Sequence, residues 1–265
     1  MKDTWITISS CAVLAVSLST VQATLIDFNT PGDLTANFQA VDSGKYSEAA
    51  GIGLGGTAGV EIATFGSQGS RTYTSESFSG SGTLSASIYF QWVTPTDVGF
   101  GSGMFLGFGP TTDYAPGLGG GSGDPSDNHV LVAVPGNAQM FIQNVSSGAA
   151  AQNSGFAGNT LVSGNWYHLQ LDLSPTGGND FDLTGTLTNS DSDGVLGTVV
   201  RTVSTNYTNS GLIGDAEVYA FFGGQGNSVA RGIDALDNFS AIPEPSSLVL
   251  ISVALGSLMM FRKRT

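Results

Sequence analysis

Apolar and polar residues alternate with a period of two along three stretches of the chain. Leu84, Ala86, Ile88, Phe90 and Trp92 are separated by Ser85, Ser87, Tyr89 and Gln91. Further on, Tyr167, Leu169, Leu171 and Leu173 fall on one side, and Trp166, His168, Gln170 and Asp172 on the other. Phe181, Leu183 and Leu187 are interleaved with Asp182, Thr184, Thr186 and Thr188. Successive side chains of an extended chain point to opposite faces, so each stretch predicts a strand with one buried and one wet face.

Shorter segments predict further strands at 25–28, 37–41, 60–64, 72–78, 104–108, 129–134, 139–145, 195–203, 217–222 and 236–241. Clusters of Gly, Pro, Asn and Asp at 116–128, 153–159, 174–180 and 189–194 punctuate them. A dozen or more short strands with no helical pattern predict an all-β sandwich or jelly roll. No linker divides residues 24–241, which are expected to form one domain. Glycine supplies 38 of 265 residues, about twice the usual share. With so few good helix formers a helical bundle is excluded.

Both ends depart from this pattern. Lys2 precedes an apolar stretch from Trp5 to Val21, and Val21-Gln22-Ala23 places small residues at −3 and −1 of a cleavage site. This predicts a secretory signal over 1–23, cut after Ala23, with export through the Sec machinery. Cys11 is the single cysteine, so the mature chain would have no disulfide and no cysteine metal site. Ile8-Ser9-Ser10-Cys11 imitates a lipoprotein box, but most of the apolar core follows the cysteine rather than preceding it.

At the other end, Ile242-Pro243-Glu244-Pro245 leads into an apolar run from Leu248 to Phe261, closed by Arg262, Lys263 and Arg264. At 1.5 Å per residue the run spans about 21 Å, a short transmembrane helix that the flanking residues can stretch. The basic cluster is a stop-transfer expected to stay cytoplasmic.

Charge separates the segments. The whole chain carries −13. Residues 24–241 hold nineteen of the 21 acidic residues and only Lys45, Arg71, Arg201 and Arg231 as cations, a net −15. Nucleic acid is excluded as a partner, since phosphate binding needs clustered cations.

Catalytic patterns are sparse. Outside the tail the glutamates are Glu48, Glu61, Glu76 and Glu217, and none lies in the Glu-x-Asp-x-x-Glu arrangement that would pair carboxylates on one strand for glycoside hydrolysis. His129 and His168 are the only histidines, with no His-Glu-x-x-His or Gly-x-Ser-x-Gly. Gly51-Ile52-Gly53-Leu54-Gly55-Gly56 formally matches a dinucleotide fingerprint but lacks the strand before and the helix after, and reads as a turn-rich loop. Asn189, Asp191 and Asp193, with Gly194 at position six, match the start of a calcium loop, although position twelve is Val200 rather than Glu. These three are the candidate metal ligands, and the alternative is a polar turn. Tyr89, Tyr114, Trp166 and Tyr207, near Asp113, Asn128 or Asn206, are candidate sugar-stacking residues if they are exposed.

The tail closely resembles the PEP-CTERM sorting signal: Pro243-Glu244-Pro245, the short span, then Arg262-Lys263-Arg264, in order. The resemblance implies processing by an exosortase, transient anchoring in the inner membrane, and delivery to the cell surface, envelope or extracellular matrix, often with exopolysaccharide or biofilm. Asn165-Trp166-Tyr167-His168-Leu169 and Asp234-Ala235-Leu236-Asp237-Asn238-Phe239-Ser240 resemble strands of concanavalin A-like (laminin-G-type) sandwiches, which implies that jelly-roll fold. The resulting expectation is a non-enzymatic structural or adhesive protein. The alternatives are a glycan-binding module of the same fold and a polysaccharide hydrolase.

Overall fold

The computed structural model describes residues 24–39, 41, 44–62, 70–93, 103–109, 129–136, 138–144, 149–154, 161–178, 180–207, 217–225 and 233–243. In chain order these form β1 (Thr24–Ile26), α1 (Asp33–Asn37), β2 (Phe38–Gln39), β3 (Tyr46–Ala49), a 3-10 turn (Leu54–Gly56), β4 (Gly59–Ile62), β5 (Ser70–Thr74), β6 (Leu84–Trp92), β7 (Gly103–Gly109) and β8 (Val130–Pro135). They continue with β9 (Met140–Asn144), β10 (Ala149–Ser154), β11 (Trp166–Gly177), β12 (Asp180–Ser190), β13 (Leu196–Tyr207), β14 (Tyr219–Gln225) and β15 (Ile233–Pro243).

Two antiparallel sheets result. One has eight strands, in the order β13-β12-β11-β6-β15-β4-β3, with β1 added beside β15. The other has seven, in the order β10-β9-β8-β7-β14-β5-β2. Neighbours distant in sequence, such as β6 and β15, require crossovers between the sheets, as in a jelly roll.

The alternation read from the sequence decides the layering. Leu84, Ala86, Ile88, Phe90 and Trp92 of β6 are fully buried and join Tyr167, Leu169, Leu171, Leu173, Phe181, Leu183 and Leu187 in one core. Met104, Leu106, Phe108, Val130, Val132, Val134, Ala220 and Phe222 meet them from the second sheet. An aromatic knot closes one side, where the Phe38 ring lies 5.1 Å from both Phe222 and Phe239, edge-on to each.

Two strands and a helix fall outside the sequence pattern. β3 carries Tyr-Ser-Glu-Ala, too short to show a period, and exists because it pairs with β4. Glu48 of β3 then accepts the Gly32 and Leu34 amides at 2.7 and 2.6 Å, holding the first turn of the five-residue α1. β10 lies at an edge of the seven-stranded sheet, paired with β9.

The closing strand β15 runs two residues past the expected domain limit, to Pro243. Its register breaks between Asp237 and Ser240, and Asn238 sits there in the left-handed region at φ 46°. Asparagine tolerates that conformation better than most residues, which gives the Asp-Asn phrase a backbone reason. Among the described residues no helix is long and apolar enough to cross a membrane. The signal over 1–23 and the tail from Glu244 onward, including Pro245, Leu248, Phe261, Arg262, Lys263 and Arg264, lie outside the described residues.

Candidate functional site

The seven-stranded sheet is apolar on both faces, unlike the eight-stranded one. On the face turned away from the core, Phe105, Leu131, Ala133, Phe141 and Phe221 form a second cluster with Tyr73. Among them stand polar groups that a core would not choose. Arg71 and Tyr73 project from β5, and His129 immediately precedes β8. Arg71 is 4% exposed and His129 fully enclosed.

Phe221 is the hub of this arrangement. The Arg71 guanidinium lies 4.8 Å from its ring centre and 5.4 Å from that of Phe105, within reach of a cation–π attraction. The Tyr73 and His129 rings pack 5.3 and 5.5 Å from it. Tyr73 Oη lies 3.1 Å from His129 Nε2, a hydrogen bond whose donor depends on the imidazole tautomer. β7 makes the room. A Cβ on Gly107 would meet Val130 O and the Phe221 ring, and one on Gly109 would fall on Cδ2 and Nε2 of His129. A cation, a phenol and an imidazole are thus gathered among aromatic rings on this sheet face, all of them buried.

Sequence reasoning did not single out this set. Tyr73 and Phe105 sit in ordinary strand patterns, and Arg71 and His129 are 58 positions apart. The one available signal was His129, one of two histidines, opening a strand.

The sugar-stacking candidates are placed otherwise. Trp166 is buried under the 52–57 loop with Leu54 and Ala235, and Tyr89 packs at the margin of that cluster. The Tyr89 hydroxyl donates to Gly194 O over 3.1 Å. Tyr114, Asp113, Asn128 and the Tyr207 side chain lie outside what is described. Asn206 donates to Asp182 Oδ1 at 2.8 Å, across the β12–β13 pair. His168 lies against the Tyr89 ring, 4.6 Å between centres, and is buried. Burial, opposed by the neighbouring Asp172 charge, pushes its pKa down to about 4. Asp172 accepts from Ser85 Oγ at 2.6 Å and from Gln170 Nε2 at 2.8 Å.

The candidate calcium loop is the β12–β13 hairpin turn. Asp191 Oδ1 accepts the Asp193 and Val195 amides at 3.0 and 2.8 Å. Asn189 Nδ2 donates to Thr198 Oγ1 at 3.2 Å. These contacts are internal to the hairpin, as a polar turn requires. Among the described residues no group of three or more His, Cys, Asp or Glu side chains is assembled to hold a metal. The turn also docks on the 52–57 loop, where the Gly55 amide donates to Ser192 O at 2.5 Å.

One concavity lies elsewhere. A cleft of about 350 Å³ opens between β1, α1 and the end of β5, lined by Thr24, Leu25, Asn37, Ser75 and Glu76 among others. Among the described residues that line it, Glu76 is the only titratable one, and its Oε2 accepts from Thr24 Oγ1 at 2.7 Å.

No protein-family model matches the chain, and no curated protein matches its sequence. Solved structures resemble it in shape. The Lotus tetragonolobus seed lectin is 13% identical, with a TM-score of 0.56 over 84% of this chain and 100% of that one. Lectin II from Ulex europaeus is 12% identical, with a TM-score of 0.55 over 83% and 97%. The winged bean acidic lectin, in complex with methyl-α-D-galactose, is 13% identical, with a TM-score of 0.53 over 84% and 100%. At such identities the likeness shows the fold, an all-β sandwich of the legume-lectin kind.

Proposed function

We propose that this chain is an exported protein of the cell surface or extracellular matrix whose sandwich binds carbohydrate, and that it is sorted through its PEP-CTERM tail by an exosortase. Its role is adhesive: one end is handled at the membrane while the domain engages extracellular polysaccharide. The observation that supports the glycan reading most directly is the Arg71–Tyr73–His129 group set among Phe105 and Phe221. A two-sheet core uses only the inner face, and this group brings a cation, a phenol and an imidazole together on the outer one. The guanidinium fork suits a carboxylate, so sugars bearing uronic acid are the favoured class. The sugar bound by the winged bean lectin makes galactose the neutral comparison.

The test is calorimetry on the chain purified from its own cells, titrated with galactose, with galacturonate oligosaccharides and with the cells' exopolysaccharide. Saturable binding that Tyr73→Phe weakens supports the reading. Absence of binding to all three would leave an adhesive role without a glycan ligand.

A further inference from the structure

The two ends of the domain meet. β1 lies against β15 with Thr24 opposite Ala241, Leu25 opposite Ser240 and Ile26 opposite Phe239. Thr24 is the residue that signal removal after Ala23 would leave first, and β15 ends on Pro243, the first residue of the sorting motif. Thr24 and Pro243, 219 positions apart in sequence, therefore lie on adjacent strands, two residues out of register.

No spacer separates the fold from the motif. Ile242 and Pro243 are still in register with Ser85 and Leu84 of β6. From Pro243 to Leu248, where the apolar run begins, five residues reach at most about 18 Å even when fully extended. An enzyme that works in the membrane plane on this motif must therefore touch the end of the sandwich.

Two large apolar side chains stand on the outer face of that end, opposite Ser240 and Ser85. Ile26, Phe239 and Ala241 point into the core, so Leu25 and Ile242 point outward. Leu25 is 72% exposed and Ile242 38%. They are diagonal neighbours, within about 8 Å across the strand pair. Leu25 also lines the cleft beside Thr24 and Glu76.

We propose that this end of the sandwich, with Leu25 and Ile242 at its centre, is the docking face for the membrane-embedded processing enzyme that acts on Pro243-Glu244-Pro245. The inference rests on the sorting reading above. The fold then contributes to recognition of the tail, because Pro243, the motif's first residue, is itself held in register with Leu84.

The test uses the full chain in its own cells, with pulse–chase and intact-mass readout of tail removal. Leu25→Asp is expected to slow removal at least five-fold while leaving the domain's thermal midpoint unchanged. A twelve-residue Gly/Ser linker between Ile242 and Pro243 detaches the motif from the face, and Leu25→Asp should then have no effect. Removal at the wild-type rate in Leu25→Asp would overturn the docking face, and so would an equal slowing with and without the linker. Flotation of the trimmed chain with phosphatidylethanolamine–phosphatidylglycerol vesicles, lost in Leu25→Asp, would make lipid the occupant and overturn it as well. If the wild-type chain keeps residues 248–265, the sorting reading itself fails. If the wild type is trimmed and Leu25→Asp is trimmed equally fast, only the docking face fails.

Discussion

The Leu54 amide donates to Asp237 Oδ2 over 2.8 Å, tying the 52–57 loop to the closing strand across 183 positions. The same carboxylate accepts the Asn238 amide at 2.7 Å and, more weakly, the Thr57 hydroxyl at 3.4 Å. Burial pushes the Asp237 pKa up, while these donors pull it back. Asp237→Ala leaves two amides without their acceptor, at a cost of about 2–3 kcal/mol. A urea titration should show this as a lower midpoint, with Asp237→Asn retaining more of the stability.

His168 sets a pH dependence. Its folded pKa of about 4 lies below the ordinary imidazole value of 6.5, so the native state takes up its proton at lower pH than the unfolded chain. The contribution is fully present above pH 6.5 and is lost as pH falls toward 4, up to about 3 kcal/mol. Thermal unfolding of wild type and His168→Gln across pH 4–7 should show the slope flattened in the variant.

Gly109 leaves the space that the His129 ring occupies. In Gly109→Ala the methyl group displaces the imidazole from Tyr73, and overpacking of this kind costs about 1–3 kcal/mol. The expected outcome is a lower thermal midpoint together with weaker binding of the oligosaccharides that the wild type binds. Unchanged binding would separate the His129–Tyr73 pair from ligand recognition.

Asp191 acts as the acceptor of its own turn. Asp191→Ala should cost about 1 kcal/mol through the two released amides. The loss should be the same with and without millimolar calcium, as read by differential scanning calorimetry. A calcium-dependent gap between wild type and variant would contradict the turn geometry.

Much of the sandwich was legible because its strands are half-buried. In β6, β11 and β12, one side of each strand is apolar and the other polar, and a period of two writes itself into the residues. β7 and β8 carry no such period, being buried on both faces, and their identity as strands came from short apolar runs. β3 and β10 left no mark, because their place depends on a partner strand rather than on their own side chains. The hairpin turn at 189–194 was legible as a polar turn, whereas the direction of each carboxylate was not.

The all-β class, the inward and outward sides of the regular strands, the acidity of the domain and the chemical character of both ends can be read along the chain alone. Those properties reside in local composition and spacing. That Arg71, Tyr73, His129 and Phe221 share one sheet face, and that Thr24 stands beside Ala241, emerges only in the folded chain. Strand order is set by crossovers between distant segments, and antiparallel register joins residues whose separation along the chain carries no trace of their contact.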